Sequence, residues 1–201
     1  NGLFPSFGIY SGYKQFEADA RVQNFLPSAE NVILGYRFDE FINQAYIQST
    51  LYDKYAVGGG LEHKYLDIRT DNLPNSDPNR RIENSYFLSA YGYIKADNLD
   101  NPNFPRDGLK LDGSFKYLFS SNSDNFNETS VVHLNIEGNK SINSWLSVKA
   151  FGEFGVYLSN YPPVSQKFIL GGYVEQDFMT YSRFYGLPFL SATGDNLMVL
   201  G

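Results

Sequence analysis

The chain has 201 residues, of which 42% are hydrophobic, and it carries a formal net charge of −6 at pH 7. An acidic chain offers no basic stripe to neutralise phosphates, which argues against a nucleic-acid partner. It has no cysteine, which excludes disulfides and thiolate metal sites, and no stretch approaches the roughly 18 consecutive apolar residues that a membrane-spanning helix needs.

Strict alternation of apolar and polar residues predicts β-strands throughout the chain. The runs Phe16–Gln23, Leu109–Tyr117 and Val132–Gly138 are the clearest examples. Several candidate strands reach the about 9–11 residues that a tilted membrane-spanning strand requires. In chain order, the predicted strands are Phe4–Tyr10, Gln15–Phe25, Asn31–Asp39, Asn43–Lys54, Ala56–Thr70, Ser85–Ala96, Leu109–Ser120, Ser130–Lys140, Trp145–Ser159 and Lys167–Tyr173.

Short and long connections alternate between Lys54 and Trp145. The long connections are polar and lie at Asp71–Asn84 and Ser121–Thr129. Outer-membrane barrels have this asymmetry, with short turns on the periplasmic side and long loops outside. The predicted short turns are Tyr55-Ala56, Asn101–Gly108 and Ser141–Ser144.

Aromatic and charged residues are consistent with a barrel whose apolar face looks outward. Aromatic residues make up 17% of the chain, as in the girdles of membrane barrels, although a β-sandwich core could also use them. A basic side chain facing lipid at mid-depth costs about 2–4 kcal/mol, so we expect the charges of the polar register to face a hydrated lumen. They are Glu17, Asp19, Arg21, Lys110, Asp112, Lys116, Glu137, Lys149 and Glu153.

Two segments resemble motifs of the BamA/TamA-like outer-membrane superfamily, the bacterial surface antigen barrels. Phe104-Pro105-Arg106-Asp107-Gly108, followed by an alternating strand, is similar to that superfamily's FP-x-x-G periplasmic turn. Pro105 fixes φ and Gly108 permits a positive φ. Further along, Gly171 and Gly172, followed by Arg183, resemble the element that opens a long loop folding back into the barrel.

The second motif departs from the common pattern. The superfamily's arginine-glycine-aromatic triplet is replaced by Arg183-Phe184-Tyr185-Gly186. The stretch Arg183–Phe189 resembles the barrels fused to bacterial patatin-like phospholipases, in which a lipid-hydrolysing domain lies upstream. The resemblance implies a barrel of about sixteen strands, with a lumen loop that includes Gly171, Gly172 and Arg183–Gly186.

The residues themselves predict no catalytic site, no cofactor and no metal ion. Ser114 lies within an alternating strand rather than in the strained elbow of a serine hydrolase. His63 and His133 occupy mid-strand positions without metal-ligand spacing. The run Gly58-Gly59-Gly60 precedes no helix, so a bend or a thin place in the wall is the better interpretation.

The sequence therefore predicts an all-β, antiparallel transmembrane barrel in a bacterial outer membrane. About ten strands are visible. Residues 1–201 are expected to be one domain that is incomplete at its carboxyl end, and missing strands are also suspected at its amino end. The expected role is to anchor, insert or export a protein partner or a fused domain, with outer-membrane lipid as the other partner. The alternatives are the barrel of a patatin-like phospholipase, a passive diffusion channel and a soluble lipid-binding barrel.

Overall fold

The computed structural model describes residues 5–22, 32–70, 80–101, 103–124, 126–159, 161–172, 181–182, 187 and 190–201. In these ranges the regular structure is β-strand, apart from one 3₁₀ turn at Val164–Gln166. No helix in the described ranges is long and apolar enough to cross a membrane. The predicted all-β, antiparallel class is confirmed.

Eight strands form one antiparallel sheet. Each of the first six pairs with the strand that follows it, and the last strand, near the carboxyl end, pairs with the seventh. Within the described residues the first and last strands are the two edges of this sheet. The strands are β1 Pro5–Val22, β2 Val32–Leu51, β3 Tyr55–Thr70, β4 Arg80–Asp97, β5 Gly108–Ser121, β6 Thr129–Ser141, β7 Ser147–Tyr157 and, after three shorter strands, β11 Asn196–Leu200.

The three shorter strands form a small second sheet: β8 Phe168–Leu170, β9 Tyr181–Ser182 and β10 Ala192–Gly194. Here the prediction was wrong, because Lys167–Tyr173 contributes β8 to this small sheet and not a strand to the main one. The carboxyl-terminal segment that begins at Asn196 is a strand that pairs with β7.

The number of long strands is also corrected. The first four predicted strands merge into the continuous strands β1 and β2, which pair without interruption from Pro5 with Ser49 to Val22 with Val32. The predicted breaks at residues 11–14 and 40–42 lie within this ladder, where Ser11 pairs with Asn43 and Lys14 with Glu40. Because the ladder continues across these positions, local polarity does not end either strand.

The connections divide the sheet into two ends. At one end, which we call the short-turn end, lie residues 52–54, 98–107 and 142–146, and at the other, which we call the long-loop end, lie residues 122–128. The connection 98–107 has ten residues and 122–128 has seven, so the predicted alternation of short and long connections is wrong at this pair. Residues 23–31 and 71–79 are outside the described residues. The first short turn lies at Tyr52–Lys54 and not at Tyr55-Ala56, because Tyr52 and Asp53 have a φ of 54° and Tyr55 already belongs to β3.

Alternation along the strands gives the main sheet two faces. In β3, Glu62, Lys64 and Leu66 are buried on one side, whereas Val57 and Leu61 are exposed on the other. Residues paired in an antiparallel ladder point to the same side, so the register extends this division over all eight strands. We call the side of Glu62 the covered face and the side of Leu61 the open face.

The apolar core lies on the covered face, towards the long-loop end. Phe16 of β1 extends it by stacking on Phe38 of β2, with 4.5 Å between the ring centroids. The core covers this half of the face, and the half nearer the short turns is polar. Its buried members are Phe38, Leu66, Ile68, Phe87, Leu118, Val131, Phe168, Leu197 and Val199.

Candidate functional site

The register places six predicted lumen charges together on the covered face. Lys116 of β5 pairs with Tyr91 of β4. Tyr91 lies two residues from Ser89, which pairs with Glu62 of β3, so Lys116 and Glu62 lie on the same face of the sheet. The same register carries the covered face across β6 and β7. The six residues are Lys110, Asp112, Lys116, Glu137, Lys149 and Glu153. That this face encloses a lumen stays a prediction.

A buried charge network lies at the centre of this face. The carboxylate of Glu62 accepts hydrogen bonds from Lys116 Nζ at 2.8 Å and from Gln44 Nε2 at 2.7 Å. Lys64 Nζ lies 3.4 Å from Glu40 Oε2, and both residues are buried. Since Lys116 reaches Glu62 past the intervening strand β4, the network ties β2, β3 and β5 together.

Sequence reasoning missed Glu40, Glu62 and Lys64. The signal was present as alternation in Leu61-Glu62-His63-Lys64-Tyr65-Leu66. It was obscured because His63 and Tyr65, on the open face, are also polar enough to read as lumen residues.

Further ion pairs lie nearer the short turns. Lys149 Nζ lies 2.9 Å from Glu137 Oε2, and Lys95 Nζ lies 2.9 Å from Asp112 Oδ2. These side chains are partly exposed, so each pair adds little stability by itself. Together they leave this half of the covered face hydrated and mixed in sign.

Tyrosine rings lie over glycines in the same half of the face. An added Cβ at Gly58 would lie 2.6 Å from the hydroxyl oxygen of Tyr93, and one at Gly8 would overlap the ring of Tyr46. The glycines therefore provide room for large rings to lie against the wall, as expected where bulky neighbours crowd a strand. A cavity of about 600 Å³ lies between these rings and the network, lined in part by Tyr10, Tyr46, Tyr91, Tyr93, Glu62 and Lys116.

The segment 161–172 packs on the other half of the covered face. Phe168 of β8 is buried, and its ring centroid lies 5.5 Å from that of Tyr157 and 6.2 Å from that of His133. Tyr157 donates its hydroxyl hydrogen to the carbonyl oxygen of Gln166. We call residues 161–172 together with Tyr181 and Ser182 the packed segment.

A polar contact joins the packed segment to the wall. The Glu153 carboxylate accepts a hydrogen bond from Ser182 Oγ at 2.6 Å, and His133 Nε2 lies 3.0 Å from its other oxygen. In the described part of the chain no hydrogen bond joins Ser182 to His133, whereas in a serine hydrolase the base contacts the nucleophile. Of the predicted lumen loop, Gly171 and Gly172 lie in this segment, whereas Arg183, Phe184, Tyr185 and Gly186 lie outside the described residues.

For Glu17 the predicted orientation is wrong. It pairs with Arg37 on the open face, because the neighbouring Phe16 and Phe38 enter the core on the covered face. Near the long-loop end the covered face is apolar and the open face is polar, the reverse of the arrangement nearer the short turns. The side chains of Asp19 and Arg21 are outside the described residues.

The predicted motif turn is held by backbone and side-chain hydrogen bonds. Asp100 Oδ1 accepts hydrogen bonds from the backbone N–H groups of Arg106 and Asp107, which lower the pKa of its carboxyl group. Gly108 has a φ of 127°, and an added Cβ would overlap the backbone carbonyl oxygen of Asn98. Phe104 is exposed and Pro105 partly exposed at this turn.

The same turn is attached to the turn between β6 and β7. Hydrogen bonds from Lys140 Nζ, at 2.9 Å, and from the backbone N–H of Ser141 lower the pKa of Asp107 to about 2. Arg106 Nη2 donates to the carbonyl oxygen of Asn143 at 2.8 Å. The motif therefore contributes to a shared platform at the short-turn end.

The open face is apolar over the middle of the sheet and ends in a row of rings. Exposed apolar side chains there include Phe7, Ile9, Leu61, Ile94, Phe115 and Met198. Four aromatic residues are directly paired across four strands: Tyr13 with Phe41, Phe41 with Tyr65, and Tyr65 with Tyr86. We call these four the aromatic row.

Comparison with known proteins gives one family. A sequence model of the OMP85 superfamily matches residues 1–199. No curated protein matches the chain.

Proposed function

The chain belongs to the OMP85 superfamily, and from that premise we propose that it forms an outer-membrane barrel that anchors, inserts or exports a protein partner or a domain joined to it. Its own residues supply the wall and the packed segment and carry out no catalysis. The observation that carries the proposal is the division of one sheet into an apolar open face and a charged covered face.

The open face has the height that a bilayer requires. Tyr55 at the short-turn end and Tyr65 in the aromatic row lie on the same side of β3, ten residues apart. At about 3.3 Å per residue and a tilt near 40°, ten residues rise about 25 Å, the height of the apolar band of an outer-membrane barrel. Tyrosine rings at both limits suit the two interfaces of such a band.

The hydroxyl groups of the aromatic row indicate which side of the row faces water. Tyr13 donates to Asp39 Oδ1 at 2.6 Å, and Tyr65 donates to the side-chain oxygen of Asn84. Both acceptors lie on the long-loop side of the row, so the rings face the apolar band and the hydroxyl groups face away from it. This is the preferred orientation of tyrosine at a membrane surface.

The packed segment favours protein handling over passive diffusion. Phe168, Tyr157 and Val131 make a closely packed apolar contact on the covered face, whereas a diffusion channel keeps its interior polar and open. A segment of this kind supports a gated or plugged lumen.

The proposal is tested by joining a folded reporter domain ahead of residue 1 and expressing the fusion with a secretion leader in a Gram-negative host. We expect the reporter to remain with the outer-membrane fraction after a urea wash. Protease added to intact cells then separates two versions of the role, since an exported reporter is cleaved and a reporter anchored in the periplasm is protected.

Insertion is checked in the same cells with single cysteines, because the natural chain has none. A lipid-soluble maleimide should modify Phe115→Cys on the open face, and a charged maleimide should modify Asp112→Cys on the covered face. Recovery of the fusion in the soluble fraction, or the reverse labelling pattern, would contradict the proposal.

A further inference from the structure

Two charged rows cross the open face immediately beyond the aromatic row, towards the long-loop end. The first row pairs Gln15 with Asp39, Asp39 with Asp67, and Asp67 with Asn84. The second row pairs Glu17 with Arg37, Arg37 with Arg69, and Arg69 with Arg81. Three arginines therefore stand side by side on three neighbouring strands.

Two of these arginines converge on one carboxylate. Asp67 Oδ2 accepts a hydrogen bond from Arg69 Nη2 at 2.6 Å and lies 3.2 Å from Arg81 Nη2. Arg69 Nε donates to the same oxygen at 3.1 Å. A single negative charge thus fixes two guanidinium groups beside each other and leaves the pair with a net charge of +1.

The carboxylate is covered and the guanidinium groups are not. The Asp67 side chain is 4% exposed, whereas those of Arg69 and Arg81 are 35% and 53% exposed. Arg37, 41% exposed, is arranged in the same way over Asp39, which is 15% exposed. Each guanidinium has five N–H donors, so donors of the arginine pair remain available on the outer side.

The backbone of this pair lies just beyond the headgroup layer. Arg69 lies four residues beyond Tyr65 on β3, which is about 10 Å further along the barrel axis for a tilted strand. The polar headgroup layer adds about 5–8 Å on each side of the hydrocarbon core, so the backbone of Arg69 would stand about 2–5 Å outside it. The long arginine side chains would therefore have to extend back towards the aromatic row to meet the phosphates of the adjacent leaflet.

We propose that Arg69 and Arg81 form a clamp for a phosphate group of a membrane lipid at the long-loop end. The inference rests on the proposed function, since it needs the open face to meet lipid. A guanidinium fork matches phosphate geometry through paired N–H donors. A phosphorylated glycolipid is the class of lipid that presents such groups to the outer surface of this kind of membrane.

The charge arrangement favours a phosphate over a divalent cation. Asp39 and Asp67 lie beneath arginine side chains, and the exposed acid of the arginine row, Glu17, pairs with Arg37 and not with Arg69 or Arg81, so a cation approaching the clamp from lipid would meet two guanidinium groups. Beyond the row that contains Asp39 and Asp67, aromatic and apolar side chains continue towards the centre of the open face. A lipid phosphate with its acyl chains attached satisfies both surfaces at once.

The test is made on the full chain folded in a neutral detergent, with a bisphosphorylated glycolipid (lipid A) and the same lipid after enzymatic removal of its phosphates. Bound lipid is counted by native mass spectrometry. We expect the wild type to prefer the phosphorylated form, and Arg69→Gln/Arg81→Gln to weaken that binding about tenfold, in line with loss of charge-assisted hydrogen bonds. The control Lys54→Gln/Lys140→Gln removes two positive charges at the short-turn end and should leave binding unchanged.

Three results would overturn the inference: equal binding of both lipids, equal weakening in the two double variants, or competition by millimolar inorganic phosphate as effective as that by the lipid. Heat-modifiable migration of each variant on gels is recorded alongside. A folded, membrane-inserting barrel with no phosphate preference would remove this inference and leave the proposed function standing. Failure of the wild type to insert would remove both.

Discussion

At the scale of single residues, the Glu62 contacts explain how a charged group is tolerated on a covered face. The carboxylate is 6% exposed, and leaving such a charge without partners costs several kcal/mol. Lys116 and Gln44 both donate to it, and Lys64 lies on the same face of the same strand. Removing one partner should therefore be costlier than removing the pair.

We predict that Lys116→Met lowers the free energy of unfolding by about 3 kcal/mol, the range for breaking a buried ion pair from one side. The double variant Lys116→Met/Glu62→Gln should recover a large part of that loss, because no buried charge is left unpartnered. Urea unfolding in lipid vesicles, followed by gel migration, measures both.

The matched control is Lys140→Met, which breaks the exposed pair with Asp107 at the short-turn end. An exposed pair contributes at most about 1 kcal/mol. If Lys116→Met lowered the free energy of unfolding no more than Lys140→Met, the Glu62 network would not stabilise the fold.

This network also marks how far the site could be predicted from sequence. Lys116 was found because the alternation in β5 sets apolar residues such as Phe115 against it, but Glu62 was not, since His63 and Tyr65 blur the two faces of β3. The contact that joins them depends on a register across β4. Side-chain periodicity within a strand does not contain that register.

At the scale of elements, β3 and the strands from β5 to β7 were predicted well, whereas β1 and β2 were each predicted as two strands. The strands β5, β6 and β7 lie close to their predicted ranges, since tight turns with Pro105, Gly108 or Asn143 bound them. The breaks expected at residues 11–14 of β1 and 40–42 of β2 are absent, because these residues are paired across the two strands. The exchange of the polar and apolar faces at Phe16 could not be predicted, because it depends on the core that packs on the covered face.

The motif turn gives the prediction at this scale. Gly108→Ala should lower the free energy of unfolding by about 2 kcal/mol or more, because a φ of 127° is strained for a residue with a Cβ and the added atom would meet the Asn98 carbonyl oxygen. Urea unfolding of the folded barrel measures it.

Gly138→Ala is the control for that experiment. Its φ is not positive, and the nearest atom to an added Cβ is Leu109 Cδ1 at 3.9 Å. The expected change is within about 0.5 kcal/mol. Equal effects of the two substitutions would mean that the turn does not require its glycine.

At the scale of the whole molecule, the two ends of the covered face differ in polarity and packing. Nearer the short turns it is polar, hydrated and lined with tyrosines around a cavity. Nearer the long loops it is closed by contacts among Phe168, Tyr157 and the core. In the barrel that we propose, a lumen open at one end and packed at the other would hold a partner more readily than it would pass small solutes.

Phe168 is the residue on which this closure depends, since it is 1% exposed and an added Cβ at Gly155 would overlap its ring. We predict that Phe168→Ala lowers the free energy of unfolding by about 3 kcal/mol, the usual cost of emptying a buried phenylalanine site. It should also raise the ion conductance of the barrel in planar bilayers, because the packed segment loses its main apolar contact with the wall. Phe104→Ala, at an exposed position of the motif turn, should change neither quantity. A wild-type barrel that already conducts steadily, with no increase in Phe168→Ala, would identify a passive channel and contradict the gated lumen.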